Sequence, residues 1–458
     1  MVKPFPIRES SILSLAELVS RLLGLMFLAH FVTHLGLQES ATFRMTLPLV
    51  GIAAAFGSIG LPQALTRLFA STSHHEKHPV PRRDLQTALA ATLGAAAVTA
   101  LLLTALSWLV TREAFDRRDL ARLLEATAPL LLLMCATGSL RGILLGLGST
   151  YAPALAQVLE VATRLTCLLL VIPFGADSAQ AGLFTMTIGE AVAGLFLAVL
   201  LFMHVQKRGL EKKHRPRGDL LPVLRMALAP TGQALLASLG YALELPLAQE
   251  LLARTHGTAS ATAWIGEYAA IALPLLCAPM VFSDGIATAL LPVAAAERAH
   301  AGFAAFSFYL RRAIGAVAMI ALPATGALLV LAPTLTAWFD SASAGLLLVM
   351  LAPLTLPLYL QAPLSALLQA QGHSRALLTA GLCGDAARLG GLWLFLGASG
   401  LGRDGLALAF ACSVLIQTSV LLVMAARIAP LSIPWQTLFR SLQAALGTAL
   451  LLLFIKGV

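Results

Sequence analysis

Three arginines lie inside apolar stretches long enough to cross a membrane: Arg21, Arg141 and Arg164. A charged side chain in the middle of a bilayer costs several kcal/mol, so each of these side chains is expected to face protein or water rather than lipid. The guanidinium group is planar and permanently charged, and it binds phosphate through paired hydrogen bonds. The three arginines are therefore candidates to bind an anionic, phosphate-bearing substrate in a cavity.

Two of these arginines have a carboxylate at helical spacing. Glu17 and Glu160 precede Arg21 and Arg164 by four positions, which places each pair on one face of a helix. The spacing is equally compatible with an internal salt bridge and with a substrate or ion site. Arg141 has no acid at this spacing and is expected to lack a paired carboxylate.

A similar group of charges recurs about half a chain later. With an offset of 224 positions, Arg164 matches Arg388, and Asp385 falls next to the position that matches Glu160. The shared register indicates a tandem duplication in which a charge pair is repeated. Asp385 and Arg388 are therefore interpreted like the first pair, as helix-pinning ions or as an ion-coupling site. Glu190, a further acid in an apolar segment, is a candidate proton or cation site.

The composition indicates which elements must position these residues. Of the 458 residues, 58% are hydrophobic and 12% are charged, and the mean hydropathy is +0.85. This is an all-α polytopic membrane protein with about thirteen membrane-spanning helices. The duplication predicts an N-terminal lobe at 1–206, a basic linker at 207–219, a C-terminal lobe at 220–429 and one extra helix at 430–458.

The apolar segment near 44–71 is interrupted by Gly60 and Pro62. Such breaks are tolerated in a membrane where neighbouring helices or water satisfy the backbone. The two residues are interpreted either as a packing kink or as a hinge that bends during transport. The preceding segment, near 10–34, is expected to remain as a signal anchor.

The formal net charge of +9 reflects basic residues that concentrate in alternate loops. This distribution predicts a cytoplasmic N-terminus and a cytoplasmic loop 206–219, in a multi-pass protein of the cell membrane, and not nucleic-acid binding. The histidines of the loop after the second segment lack accompanying acids or cysteines, so no metal site is expected. The chain contains no GxxxxGK[ST] motif, and no cofactor is expected.

Several motifs carry a family resemblance: SRLLG at 20–24, GLPQALTRL at 60–68 and LRGILLGLGSTYAPALAQVLEVATRL at 140–165. The chain resembles the stage V sporulation protein B type polysaccharide flippases. These belong to a superfamily with the O-antigen flippases, the lipid II flippases and the MATE exporters. Two arginines of the lipid II flippase pattern are replaced here by Phe27 and Ile52.

The resemblance implies two six-helix lobes around a central cavity and alternating access. The implied substrate is an undecaprenyl-linked sugar or another polysaccharide or peptidoglycan precursor of cell-wall or spore biogenesis, carried to the outer leaflet. The implied protein has no catalytic activity, contacts membrane lipids and is expected to be a monomer. Arg21 matches an arginine of the cationic cavity in the lipid II flippases.

Three other functions compete with this interpretation. A MATE-type multidrug antiporter, coupled to a cation, would share the lobes and would use acids such as Glu17, Glu160 and Glu190. A membrane glycosyltransferase or ligase would need a large extramembrane loop with paired carboxylates. A non-transporting scaffold would leave the charges in the apolar segments unexplained.

Overall fold

The computed structural model describes residues 7–58, 61–62, 65–66, 69, 80–109, 127–149, 151–171, 179–211, 238–240, 242–297, 302–430 and 433–457. The helices are α1 (Ile7–Ser58), α2 (Arg82–Leu109), α3 (Ala128–Gly146), α4 (Tyr151–Val171), α5 (Ala179–Arg208), α6 (242–256), α7 (Thr258–Cys277), α8 (Met280–Glu297), α9 (Gly302–Ala337), α10 (Ala342–Ala370), α11 (Ser374–Leu392), α12 (Gly402–Ile428) and α13 (Trp435–Gly457). Two short strands, β1 (Val80–Pro81) and β2 (Leu210–Glu211), pair in parallel.

Nine helices of the described part are long and apolar enough to cross a membrane. They include α3, α4, α5, α10 and α12. Helices are the natural spanning element because they satisfy their own backbone hydrogen bonds in lipid. The prediction of an all-α, multi-pass membrane protein is confirmed.

Helix α1 covers more of the chain than the segment predicted near 10–34. It continues to Ser58 and is interrupted at Gly36, where φ is 79° and ψ is 171°. A side chain would be strained at this φ, and glycine adopts it freely. The first two predicted segments are therefore joined by a break at one glycine and not by a loop of several residues.

The chain divides into two compact units, Met1–Phe27 with Thr42–Ala242 and Leu28–Ala41 with Leu243–Val458. In the first unit α4 packs on α5, and α3 packs on both α2 and α5. In the second unit α11 packs on α12, α9 on α13 and α8 on α10. Residues 212–219 of the predicted linker lie outside the described residues, and the predicted lobe boundaries stay a prediction.

Helix α3 is held by a close approach to the helical residues that include Pro62 and Thr66. A Cβ added to Gly146 would lie 2.7 Å from the carbonyl oxygen of Thr66, and one added to Gly138 would lie 3.3 Å from Pro62. The Thr66 hydroxyl donates to the carbonyl oxygen of Gly142 at 3.1 Å. Pro62 therefore lies in a tight interface beside the helix that carries a candidate arginine, whereas Gly60, the other predicted hinge residue, lies outside the described residues.

Candidate functional site: a buried charge cluster

A tight turn brings α3 and α4 side by side. The turn contains Gly148, whose φ of 85° is the left-handed conformation that glycine accepts without strain. Its amide donates to the carbonyl oxygen of Leu145 at 3.0 Å. Because the connection is so short, residues on the facing sides of the two helices can meet although they are far apart in the sequence.

Glu160 is the centre of the cluster that forms between these helices. Its Oε1 accepts a hydrogen bond from Arg164, one turn further along α4. Its Oε2 accepts a hydrogen bond from Arg141, which lies on α3 and is 19 positions away in the sequence. The expectation that Arg141 lacks a paired carboxylate is wrong, because the turn places Glu160 beside it.

Helix α5 contributes a second carboxylate. Glu190 Oε2 lies 3.5 Å from the guanidinium of Arg164, and Glu190 Oε1 accepts a hydrogen bond from the hydroxyl of Thr137 on α3. The carboxylates of Glu160 and Glu190 thus contact the same terminal nitrogen of Arg164. We call Thr137, Arg141, Glu160, Arg164 and Glu190 the buried charge cluster.

The buried charge cluster contains two guanidinium groups and two carboxyl groups, so that the charges compensate one another in the apolar surroundings. The side chain of Glu160 is 9% exposed, that of Arg164 19% and that of Arg141 28%. The Nε atoms of both arginines are buried without a hydrogen-bond partner. Arg141 is thus the more accessible of the two arginines in the cluster, and both arginines retain an unused donor.

A glycine on α5 makes room for Arg164. A Cβ added to Gly189 would lie 2.6 Å from Arg164 Cγ and 2.7 Å from the carbonyl oxygen of Glu160. Neither Gly189 nor Thr137 stands out in the sequence, although Gly189 precedes an apolar-segment acid and Thr137 lies one helical turn before Arg141. Both residues shape the cluster through contacts between helices.

Arg21 has its own carboxylate on α1. Its guanidinium lies 3.0 Å from Glu17, and the two side chains are 28% and 39% exposed. The internal salt bridge is therefore present, as the spacing of four positions allows. A pair this accessible contributes on the order of 1 kcal/mol or less to stability.

In the second unit, Arg388 has a more enclosed set of partners. Its guanidinium donates to Glu244 on α6 at 2.8 Å and to the hydroxyl of Ser413 on α12 at 3.2 Å. Tyr268 donates to the same carboxylate at 2.9 Å, and the guanidinium lies 5.1 Å from the centre of the Phe410 ring. The side chains of Arg388 and Glu244 are only 6% and 5% exposed.

The carboxylate against Arg388 thus comes from 144 positions earlier in the chain. Asp385, the acid that the sequence suggested, lies one helical turn before Arg388 on α11 and is half-buried. The offset of 224 positions that matches Arg164 with Arg388 also matches Gly189 with Ser413. Each of these residues packs against the arginine of its own unit.

A further ion pair in the second unit involves the π-helical turn Gly266–Ala272. Glu267 in this turn lies 3.6 Å from Arg403 at the start of α12 and accepts a hydrogen bond from Ser343 at the start of α10. These contacts join the middle of α7 to the N-terminal ends of α10 and α12. Among the described residues, no group of three or more histidines, cysteines or acids could hold a metal ion; the histidine-rich loop at 71–79 lies outside them.

The chain is similar to proteins of known function and structure. It is 25% identical over 449 residues to the stage V sporulation protein B of Bacillus subtilis (strain 168), covering 94% of this chain and 86% of that protein. The lipid II flippase MurJ, in an inward closed conformation, superposes with a TM-score of 0.69 at 16% identity, covering 97% of this chain and 92% of the other.

A multidrug resistance MATE transporter of the MOP superfamily, in an outward-facing conformation, superposes with a TM-score of 0.68 at 18% identity and covers 93% of this chain and 96% of that one. These superpositions establish the fold, and the predicted MATE and lipid II flippase type of architecture is confirmed. The profile of one family, described as polysaccharide biosynthesis protein, matches residues 7–296. The chain therefore belongs to the polysaccharide biosynthesis protein family.

Proposed function

We propose that this protein is a flippase that moves an anionic, lipid-linked glycan precursor from the inner to the outer leaflet by alternating access. The observation that carries the proposal is the convergence of Arg141 and Arg164, from two neighbouring membrane-spanning helices, on one carboxylate. Membership of a polysaccharide biosynthesis family supports a glycan as the cargo. The substrate is carried without covalent change, so the protein is a transporter and not an enzyme.

The chemistry of such a substrate fits the cluster. An undecaprenyl-linked sugar carries a diphosphate, which needs cations when it leaves water, and a polyprenyl tail, which can remain in lipid. Arg141 and Arg164 provide two cations with unused donors, and Arg21 is a third candidate. An inside-negative membrane potential also favours outward movement of negative charge, by about 2.3 kcal/mol per charge per 100 mV.

The proposed function also includes an orientation in the membrane. The protein lies in the cell membrane with its N-terminus in the cytoplasm, and the basic loop 206–219 is cytoplasmic, because basic loops are retained on that side. The two predicted lobes alternate the access of the substrate, with Pro62 as a bending point. The protein works as a monomer, surrounded by membrane lipids.

The decisive experiment is reconstitution of the purified protein in liposomes with defined fluorescent lipid-linked precursors. Transfer of a precursor between leaflets is measured as a change in its accessibility to a membrane-impermeant quencher. We expect protein-dependent transfer of at least one diphosphate-linked precursor. The control is Glu250→Gln, which removes an acid from the exposed pair with Arg254 and should transfer normally.

A second candidate function is a MATE-type antiporter that exports organic cations. The carboxylates of Glu160 and Glu190 favour it, because they could bind a proton or a cation in the membrane-spanning region. The same liposomes distinguish the two functions. Proton-driven export of ethidium without transfer of any lipid-linked precursor would support the antiporter and exclude the flippase.

A further inference from the structure

The way in which Glu160 binds its two arginines resembles the binding of a phosphate group. Each of its carboxylate oxygens accepts from a different guanidinium, one on α3 and one on α4. A phosphate group between two arginines would present the same arrangement of negatively charged oxygens to the same donors. Glu160 therefore fills positions on Arg141 and Arg164 that an anionic ligand would use.

The net charge of the cluster determines whether an anionic ligand can bind to the two arginines. With both carboxyl groups ionised, the two guanidiniums are already neutralised, and a diphosphate would add negative charge in a poorly solvated site. Glu160 and Glu190 contact the same terminal nitrogen of Arg164, and two carboxyl groups held this close to each other can instead share one proton. A proton taken from water onto this pair would remove one negative charge and loosen the hold of Glu160 on the arginines.

We propose that Glu160 is a tethered competitor of the anionic headgroup, and that a proton on the Glu160–Glu190 pair relieves the competition. This proposal rests on the proposed function and names the chemistry that regulates binding at the same site. The described residues of α3, α4 and α5 that face the two carboxyls with charged or polar groups are Arg141, Arg164 and Thr137. The proton is thus shared within a site that opens mainly at Arg141, the most exposed member.

In the second unit, Arg388 is held in place by hydrogen bonds to two different helices. Arg388 uses Nε on Ser413 and a terminal nitrogen on Glu244, and Tyr268 holds that carboxylate from the other side. Arg141 and Arg164, by contrast, share one carboxylate and each retain a buried Nε without a partner. Of these two sites in the described part of the chain, the one in the first unit has a carboxylate that contacts two arginines and that an incoming anion could replace on both.

The test measures binding of inorganic pyrophosphate and of farnesyl diphosphate to the purified full-length protein, at about pH 6 and about pH 8. Linkage allows affinity to change by up to about tenfold per pH unit when one proton is taken up on binding. We expect the wild type to bind both probes more tightly at the lower pH. Glu160→Gln should bind at the higher pH about tenfold or more tighter than the wild type, with a smaller change between the two pH values.

Two further variants keep the result interpretable. Glu250→Gln should behave like the wild type, because its pair with Arg254 is exposed and remote from the cluster in the sequence. If Glu160→Gln does not fold, Glu190→Gln replaces it: this variant mimics the protonated pair and should show tighter binding at the higher pH. The ionisation of the probes themselves is common to all variants and cancels in the comparison.

The outcomes separate this proposal from the flippase. A Glu160→Gln protein that binds no more tightly than the wild type, or that keeps the full pH dependence, would overturn the competition. Absence of binding of both probes to every variant would overturn it as well, whatever the liposomes show. If Glu160→Gln binds pyrophosphate more tightly than the wild type but farnesyl diphosphate does not bind, then Glu160 competes with a free diphosphate. A lipid-linked substrate is excluded in that case.

Discussion

Replacing Gly189 by alanine tests whether the contact between α4 and α5 sets the position of Arg164. The new Cβ would lie 2.6 Å from Arg164 Cγ and 2.7 Å from the carbonyl oxygen of Glu160, whereas ordinary contacts begin at 3.4 Å. The arginine side chain can rotate, but the carbonyl oxygen belongs to the backbone of α4. To restore an ordinary contact with this carbonyl oxygen, α4 and α5 must separate by about 0.7 Å. Otherwise the new Cβ remains in a strained contact with the backbone of α4.

Two opposing effects determine the size of the change. Overpacking of this kind costs about 1–3 kcal/mol, while alanine in a helix interior is favoured over glycine by about 1 kcal/mol. The control is Gly94→Ala on α2, where no described atom outside the local helix backbone lies within 4 Å of the added Cβ and only the second effect operates. Gly189→Ala is thus expected to be less stable than Gly94→Ala by about 1–3 kcal/mol.

Stability is measured as the apparent free energy of unfolding in an SDS titration of detergent-solubilised protein, and pyrophosphate binding is measured on the same samples. Movement of α4 would also lengthen the 3.5 Å contact between Arg164 and Glu190, so binding should change together with stability. Equal stability and equal binding for the two alanine variants would refute the assignment of Gly189 as the residue that positions Arg164.

Three further changes test other parts of the protein. Arg141→Ala should abolish leaflet transfer in liposomes and should destabilise the protein less than Glu244→Gln does, because Glu160 keeps Arg164 and Arg141 is partly exposed. Arg141→Lys should restore transfer only in part, and normal transfer by a stable Arg141→Ala protein would remove this residue from the site. Glu244→Gln removes the carboxylate that pairs with Arg388, and both side chains are almost fully buried. The change should destabilise the protein by about 3–5 kcal/mol, and an unchanged midpoint of the SDS titration would contradict a structural role for this ion pair. A cysteine placed in loop 206–219 should react with an impermeant maleimide only in inside-out vesicles; labelling of intact cells would reverse the proposed topology.

The local charge pairs could be predicted from the sequence because helix geometry is local. Residues four apart lie on one face of any α-helix, and both Glu17–Arg21 and Glu160–Arg164 form salt bridges. The apolar composition likewise requires helices in a membrane whatever their arrangement. These features depend on neighbours along the chain, which the sequence displays directly.

The composition of the buried charge cluster was decided by tertiary structure. Whether Arg141 meets Glu160 depends on the rotation of α3 and α4 about their axes, which is determined by the turn at Gly148 and by the packing of α3 on Thr66. The pairing of Arg388 with a carboxylate 144 positions away depends in the same way on the packing of separate helices. A period of 3.6 residues predicts which side chains share a helix face, but it contains no information about which helix that face meets.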